Sequence, residues 1–293
     1  MSKIAISVET AADFSPELLQ KNDIHTIPFT IVMDDKEGKD GEINSQILFD
    51  FVARTGRLPH TSAVNVGEFE EYFKGLLENY DQVIHISLSS GISCACQNAF
   101  TASKEFDGKV FVIDSMVLST GIALLALYAC ALRDNGYEAS EIVEKVKERI
   151  PNDQTSFGLE NVEYLYKGGR CSALARLGVN LLKIKPQIIM DPKTGKMHSA
   201  KKFRGNTEKW VLDYVDATLE EFNNPDLENV FITFSSMEDP IVEKVSAKLQ
   251  ARGFKNIYST HAGATISTHC GPHCLGILYL NDGAHPVTAK KGE

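Results

Sequence analysis

No apolar run in this sequence approaches the length of a membrane span. The longest candidate, Val117 to Leu132, is interrupted by Ser119, Thr120 and Gly121 and reads as a buried helix. The opening "MSKIAISVE" has no apolar leader core and goes straight into a strand pattern. A basic surface is also missing. Thirty Lys and Arg stand against 39 Asp and Glu, for a net charge of -9, which repels phosphate backbones and argues against a nucleic-acid partner. There is no Walker A run, no G-x-S-x-G elbow, no dinucleotide fingerprint and no convincing repeat or low-complexity tract. The expectation is a cytoplasmic protein whose six cysteines are mostly thiols.

Hydrophobic residues make up 43% of the 293, enough for a full core. That length suggests two domains. The first half alternates strands ("KIAISVE", "IHTIPFTIVM", "QVIHISLS", "KVFVIDS") with helical patterns ("SQILFDFVAR", "VGEFEEYFKGLLENY", "SCACQNAFTASKEF"). This order predicts βαβ units and a parallel sheet. "DDKEGKDGE" reads as a charged loop, and Pro151 ends a helix at a plausible boundary. Beyond it come a strand "QTSFGLE", a helix-like "NVEYLYKGG", a hairpin turning at Asp191–Gly195, and an α+β remainder with a helix opening at Asp239-Pro240. The expected fold class is α/β in two domains. An N-terminal parallel-sheet domain spans 1–157, a C-terminal α/β (α+β) domain spans 158–284, and 285–293 form a loose tail.

Several stretches could carry chemistry. "SSGISCAC" follows a buried strand and opens a helix, leaving unpaired backbone N–H groups beside the hydroxyls of Ser89, Ser90 and Ser93. Either an ordinary capped helix or a carboxylate or phosphate site would read this way. Thr61 and Ser62 precede another helix, with Asn65 as its expected cap, and could face the same anion. Lys167, Gly168, Gly169 and Arg170 form either a helix C-cap or a basic lip over an anion. "THCGPHCLG" packs two histidines and two cysteines around a Gly-Pro turn.

Taken together and in this order, the chain resembles the DegV family, bacterial fatty-acid-binding proteins. The resemblance rests on "ISVETAAD", Thr61-Ser62, "SSGISCACQNA", "VIDSMVLSTG", "YLYKGGRCS" and "THCGPHCLG", which run nearly end to end. It implies a two-domain fold with an acyl chain buried between and within the domains. It also implies that Thr61, Ser93 and His269 contact the carboxylate, with Ser62 and Arg170 as further candidates. Ser89, Ser90, Arg204 and His273 are secondary candidates from the residues themselves. The resemblance further implies that the ligand is a long-chain fatty acid and that a separate fatty acid kinase phosphorylates it for phospholipid synthesis. The chain itself would be a carrier without a catalytic residue or cofactor, and any membrane contact would be transient.

Departures from the family cluster near the implied head-group site. Cys94, Ala95 and Cys96 replace Gly-Thr-Tyr, His273 and Cys274 follow the Gly-Pro pair where glycine is usual, and Glu9 replaces Asp. Cys94, Cys96, Cys270 and Cys274 could supply zinc ligands or a redox disulfide, or could simply pack. No metal is expected, because the spacing is not that of a standard zinc motif and residues 94 and 96 face about 200° apart on a helix. His273 invites a strained positive φ. Two other readings remain open, a metal- or redox-linked lipid-binding protein and an enzyme acting on a phosphorylated small molecule through Lys167, Arg170 and Arg204.

Overall fold

The computed structural model describes residues 2–34, 36–169 and 184–290. The first half contains β1 (Ile4–Glu9), α1 (Pro16–Asn22), β2 (Ile24–Ile27), β3 (Thr30–Met33), β4 (Lys36–Lys39), α2 (Ser45–Thr55), β5 (His60–Ser62), α3 (Val66–Leu77), β6 (Gln82–Ser87), α4 (Ala95–Ser103), β7 (Val110–Asp114), α5 (Thr120–Asp134) and α6 (Ala139–Arg149). The second half contains β8 (Asp153–Gly158), α7 (Glu163–Lys167), β9 (Lys185–Asp191), β10 (Lys196–Phe203), α8 (Thr207–Glu221), β11 (Asn229–Ser235), α9 (Asp239–Arg252), β12 (Asn256–His261), α10 (Ala264–Cys270) and β13 (Cys274–Leu280).

The N-terminal domain is built on a parallel sheet ordered β2-β1-β6-β7. Every residue of β1 is buried, as expected of a strand covered on both faces. Its two polar side chains are satisfied by a buried chain of hydrogen bonds. Tyr72 Oη meets Ser7 Oγ at 2.9 Å, Ser7 Oγ meets His85 Nδ1 at 2.9 Å, and His85 Nε2 meets Glu9 Oε1 at 3.2 Å. Glu9 also accepts from Ser87 Oγ and from Leu88 N. Burial alone would raise the Glu9 carboxyl, but His85 and these donors outweigh it and hold it below its ordinary value. His85 is therefore a satisfied core residue, as its place within a strand suggests.

The C-terminal domain carries a mixed sheet ordered β10-β9-β8-β13-β11-β12, antiparallel except for the β11–β12 pair. Helix α5 is apolar almost all round because it lies between the sheets. It packs on β1 and β6 on one side and on β8, β11 and β13 on the other. No helix among the described residues is long and apolar enough to cross a membrane.

The chain differs from its sequence pattern in four places. Strand β8 belongs to the second sheet, so the chain changes sheets before Asp153, and the expected 157/158 boundary falls inside a strand. The run "IHTIPFTIVM" is two strands in different sheets, broken after Ile27 at Pro28, which has no N–H to continue the ladder. The charged "DDKEGKDGE" is not all loop. Lys36–Lys39 pairs with β3, and β5 pairs on the other side of β3, giving a small antiparallel sheet ordered β4-β3-β5. Helix α9 opens at Asp239-Pro240, but Asp239 is its first residue rather than the N-cap that an Asp-Pro start suggests, and Glu238 takes the cap position. Residues 285–290 are also better held than their composition suggests: Lys290 N donates to Asn135 O at 3.0 Å, and Val287 packs on the core.

The domains meet tightly where the loop after β6 touches the β9–β10 turn. That turn forms at Asp191–Gly195 as expected. Ser89 Oγ donates to Gly195 O at 2.7 Å. A Cβ on Gly91 would lie 2.4 Å from the same carbonyl oxygen, so only glycine allows this approach. Gly91→Ala should therefore destabilise the fold by on the order of 1–3 kcal/mol, because backbone on both sides must separate. Chemical denaturation checks this; an unchanged midpoint would contradict the contact.

Candidate functional site

Between the domains lies a cavity lined by residues of both. Its walls are mainly apolar, including Phe29, Leu88, Leu118, Phe157, Met197 and Leu278. No lysine or arginine is among its described lining residues. The hydroxyls of Thr61 and Ser93 and the imidazole of His269 reach the same cavity.

Each of these three is positioned by a different element. Thr61 sits on β5, paired with Ile31 across the small sheet. Ser93 precedes α4, and its Oγ accepts from Ala95 N at 3.1 Å, which leaves its own O–H free to donate. Cys94 is the formal cap residue of α4 and makes no side-chain capping bond. His269 lies in the last turn of α10. Its Nε2 is 3.0 Å from Thr61 Oγ1, a contact between residues 208 positions apart. Gly168 packs on the far side of the ring: a Cβ there would lie 2.5 Å from His269 Nδ1. The paired glycines of "KGGR" thus do let backbone come close to something, and for Gly168 it is this imidazole.

Helix α10 is held in place from outside itself. Its cap residue Gly263 offers no side chain. Asp13 and Asp40 from the N-terminal domain supply the missing acceptors. Gly263 N donates to Asp13 Oδ1 at 2.7 Å, and Ala264 N and Thr265 N donate to Asp40 at 2.9 and 3.1 Å. Ser119 Oγ donates to Asp13 Oδ2 at 2.5 Å. Burial, with a smaller push from Asp40, drives the Asp13 carboxyl up to about 8 against the opposing pull of its donors. Neither aspartate was a candidate from sequence. Asp13 closes the "ISVETAAD" motif, which could have flagged it, whereas Asp40 sits in a run that reads as solvated charge.

The remaining candidates lie elsewhere. Ser89 is buried and committed to Gly195, and Ser90 is exposed beside Asp114, which accepts from its backbone N–H. Ser62 and Arg204 are exposed and do not line the cavity. Arg170 and Cys171 lie outside the described residues. His273 adopts φ 55°, the positive value its position invites, and its N–H donates to Ser235 O at 2.8 Å. It does not line the cavity either.

The cysteines separate. Cys94 is exposed, Cys96 lies on the buried face of α4, and of the described cysteines only Cys270 and Cys274 line the cavity. A hydrogen bond that the Cys274 thiol donates to Cys270, together with burial, pushes Cys274 well above its ordinary value, and burial pushes Cys96 up to about 12. Such thiols pack and resist ionising. Among the described residues no three His, Cys, Asp or Glu side chains converge as a metal site.

The Asp13 clamp has a measurable signature. Its folded pKa lies above the ordinary value of 3.8, so its contribution to stability is complete below about pH 4 and is lost as pH rises to about 8. Asp13→Asn keeps an acceptor for Gly263 N–H without that charge. The variant's stability relative to wild type should therefore rise with pH across this window, by on the order of a few kcal/mol, and level off above it. Asp153, also pushed to about 8, is common to both proteins and cancels. Thermal unfolding across pH checks this, and parallel curves would contradict it.

Comparison with known proteins agrees with the fold and the motifs. A model for the DegV family matches residues 3–282. A fatty acid-binding protein of Thermotoga maritima is 30% identical over 280 residues, covering 94% of this chain and 96% of that protein. DegV of Bacillus subtilis, described as a fatty acid binding protein, superposes with a TM-score of 0.84 at 25% identity, covering 96% of this chain and 100% of that one. A DegV family protein from Thermus thermophilus superposes with a TM-score of 0.88 over 95% of this chain and 99% of that one, a likeness of fold at 22% identity. Because the family match spans nearly the whole sequence, this chain belongs to the DegV family.

Proposed function

We propose that this protein binds a long-chain fatty acid in the interdomain cavity, with the carboxylate at Thr61, Ser93 and His269. It presents that carboxylate to a separate fatty acid kinase, which forms the acyl phosphate, and performs no catalysis itself. The observation that carries the reading is the 3.0 Å approach of Thr61 Oγ1 and His269 Nε2, from opposite domains, in the wall of a mainly apolar cavity.

Two energies must be met together. Burying an acyl chain contributes about 0.8 kcal/mol per methylene, which the apolar walls can supply. The carboxylate would cost far more than one methylene gains if it were buried unpaired. Two hydroxyls and an imidazole can satisfy it. With no cation among the described lining residues, a carboxylate oxygen keeps the electron density needed to attack a phosphoryl group. The same lack of cations disfavours a phosphorylated small molecule as ligand, since a dianion would be left without a counter-charge. The fatty-acid-binding relatives support the ligand class. The kinase step rests on the resemblance and on this electronic argument.

Native mass spectrometry of gently purified protein should show the added mass of a long-chain acid. Thr61→Ala, Ser93→Ala and His269→Ala should each weaken fatty-acid binding by about tenfold to a hundredfold, the range expected for a hydrogen bond to a charged group. The same variants should lower kinase-dependent phosphorylation. A delipidated protein that binds no fatty acid would end the reading. Three variants of wild-type affinity would end the site assignment alone.

A further inference from the structure

The cavity contains a polar group that the carboxylate cradle does not use. Thr265 is 3% exposed and lines the cavity, and its Oγ1 has no hydrogen-bond partner among the described residues. A threonine within a helix ordinarily returns its hydroxyl to the carbonyl one turn earlier. Thr268 does so, donating to Ala264 O at 2.8 Å. Thr265 lies in the first turn of α10 and makes no such bond. Its backbone N–H is held by Asp40 at 3.1 Å, which fixes the start of the helix beside the cavity.

Ser119 stands at the same end of α10. Asp13 takes the Ser119 hydroxyl proton on one oxygen and Gly263 N–H on the other, which brings Ser119 beside the first turn of the helix. Ser119 also lines the cavity. Its backbone is held at φ 53°, ψ -140°, a conformation that costs energy in a residue other than glycine and that accompanies functional positions. With its O–H donating to Asp13, the Ser119 oxygen retains lone pairs that can accept. Thr265 and Ser119 together therefore offer a donor and acceptors within an otherwise greasy wall.

The spacing from the cradle is set by the helix. Thr265 precedes His269 by four residues, which puts the two on one face about 6 Å apart along the axis. An extended acyl chain covers this in roughly four to five carbon–carbon bonds. A plain methylene at that point leaves the Thr265 hydroxyl buried and unpaired, and sites built to bond a hydroxyl discriminate against ligands that lack one.

We propose that this cavity selects an acyl chain bearing a hydroxyl a few carbons from its carboxylate, bonded by Thr265 with Ser119 as an acceptor. The proposal rests on the fatty-acid reading and narrows its ligand class. The test displaces a fluorescent fatty acid from the delipidated full chain. The competitors are octadecanoic acid and a series of monohydroxy-octadecanoic acids whose hydroxyl is stepped along the first half of the chain. One isomer should bind at least about fivefold more tightly than octadecanoic acid. Thr265→Val, nearly the same shape, should weaken that isomer alone, and Thr265→Ser should retain the preference. Melting curves of both variants establish that each is folded. A flat series with normal octadecanoic acid binding overturns this inference and leaves the fatty-acid reading standing. Equal weakening of both ligand types by Thr265→Val also overturns it, because Thr265 would then serve the carboxylate or the fold. Failure of every acid to compete overturns both readings.

Discussion

The site depends on two carboxylates of the N-terminal domain closing the open end of a short helix in the other. Seven residues are too few for a helix to persist by its own hydrogen bonds, and α10 has no side-chain cap of its own. Asp13 and Asp40 accept its first N–H groups, so the helix is completed only when the domains are together. The axis of α10 then carries His269 to Thr61 at its far end. Two buried carboxylates this close would repel if both were ionised. Raising Asp13 to about 8 lets it hold a proton at neutral pH and relieves that conflict. The clamp therefore joins the domains without concentrating charge beside an apolar cavity.

A second consequence concerns what the cavity can hold. Among the described residues its polar points are hydroxyls and an imidazole rather than ammonium or guanidinium groups. Neutral donors satisfy a carboxylate through several weaker bonds, whereas a bidentate arginine would draw its electron density into one strong pair. The departures from the usual motif fit the same picture. Cys270 and Cys274 flank the Gly-Pro turn as small buried groups, and Ser235 Oγ bridges the turn by accepting from Cys274 N at 3.2 Å and donating to Gly271 O at 2.5 Å. They fill space beside the imidazole of His269.

What was legible in the sequence follows from the range of the interactions involved. The β-α alternation gave the parallel sheet, and the Asn65 capping box and the Asp191–Gly195 turn form as local signals predict. The edge strands around Thr30–Met33 were hidden, because they are short and polar and Lys36–Lys39 looks like any solvated loop. Asp40 looked exposed for the same reason, since its partners lie 224 and 225 residues away. Ser89 misled in the opposite direction. A serine before a helix suggests a ligand hydroxyl, but its proton goes to a carbonyl in a distant hairpin. Thr61, Ser93 and His269 could be named only because a family pattern carries long-range information that spacing alone does not.

Ser119 shows how these constraints combine. Its strained backbone could not persist on local preference, and what holds it is the short bond to Asp13. The same aspartate fixes the start of α10 through Gly263. One side chain thus sets both the turn that launches the central helix α5 and the helix that carries the imidazole. Because α5 contacts both sheets, a change in either domain reaches the cavity wall through rigid, packed elements. The cavity's shape is therefore a property of the assembled pair of domains, and neither half would hold His269, Thr61 and Thr265 in register alone.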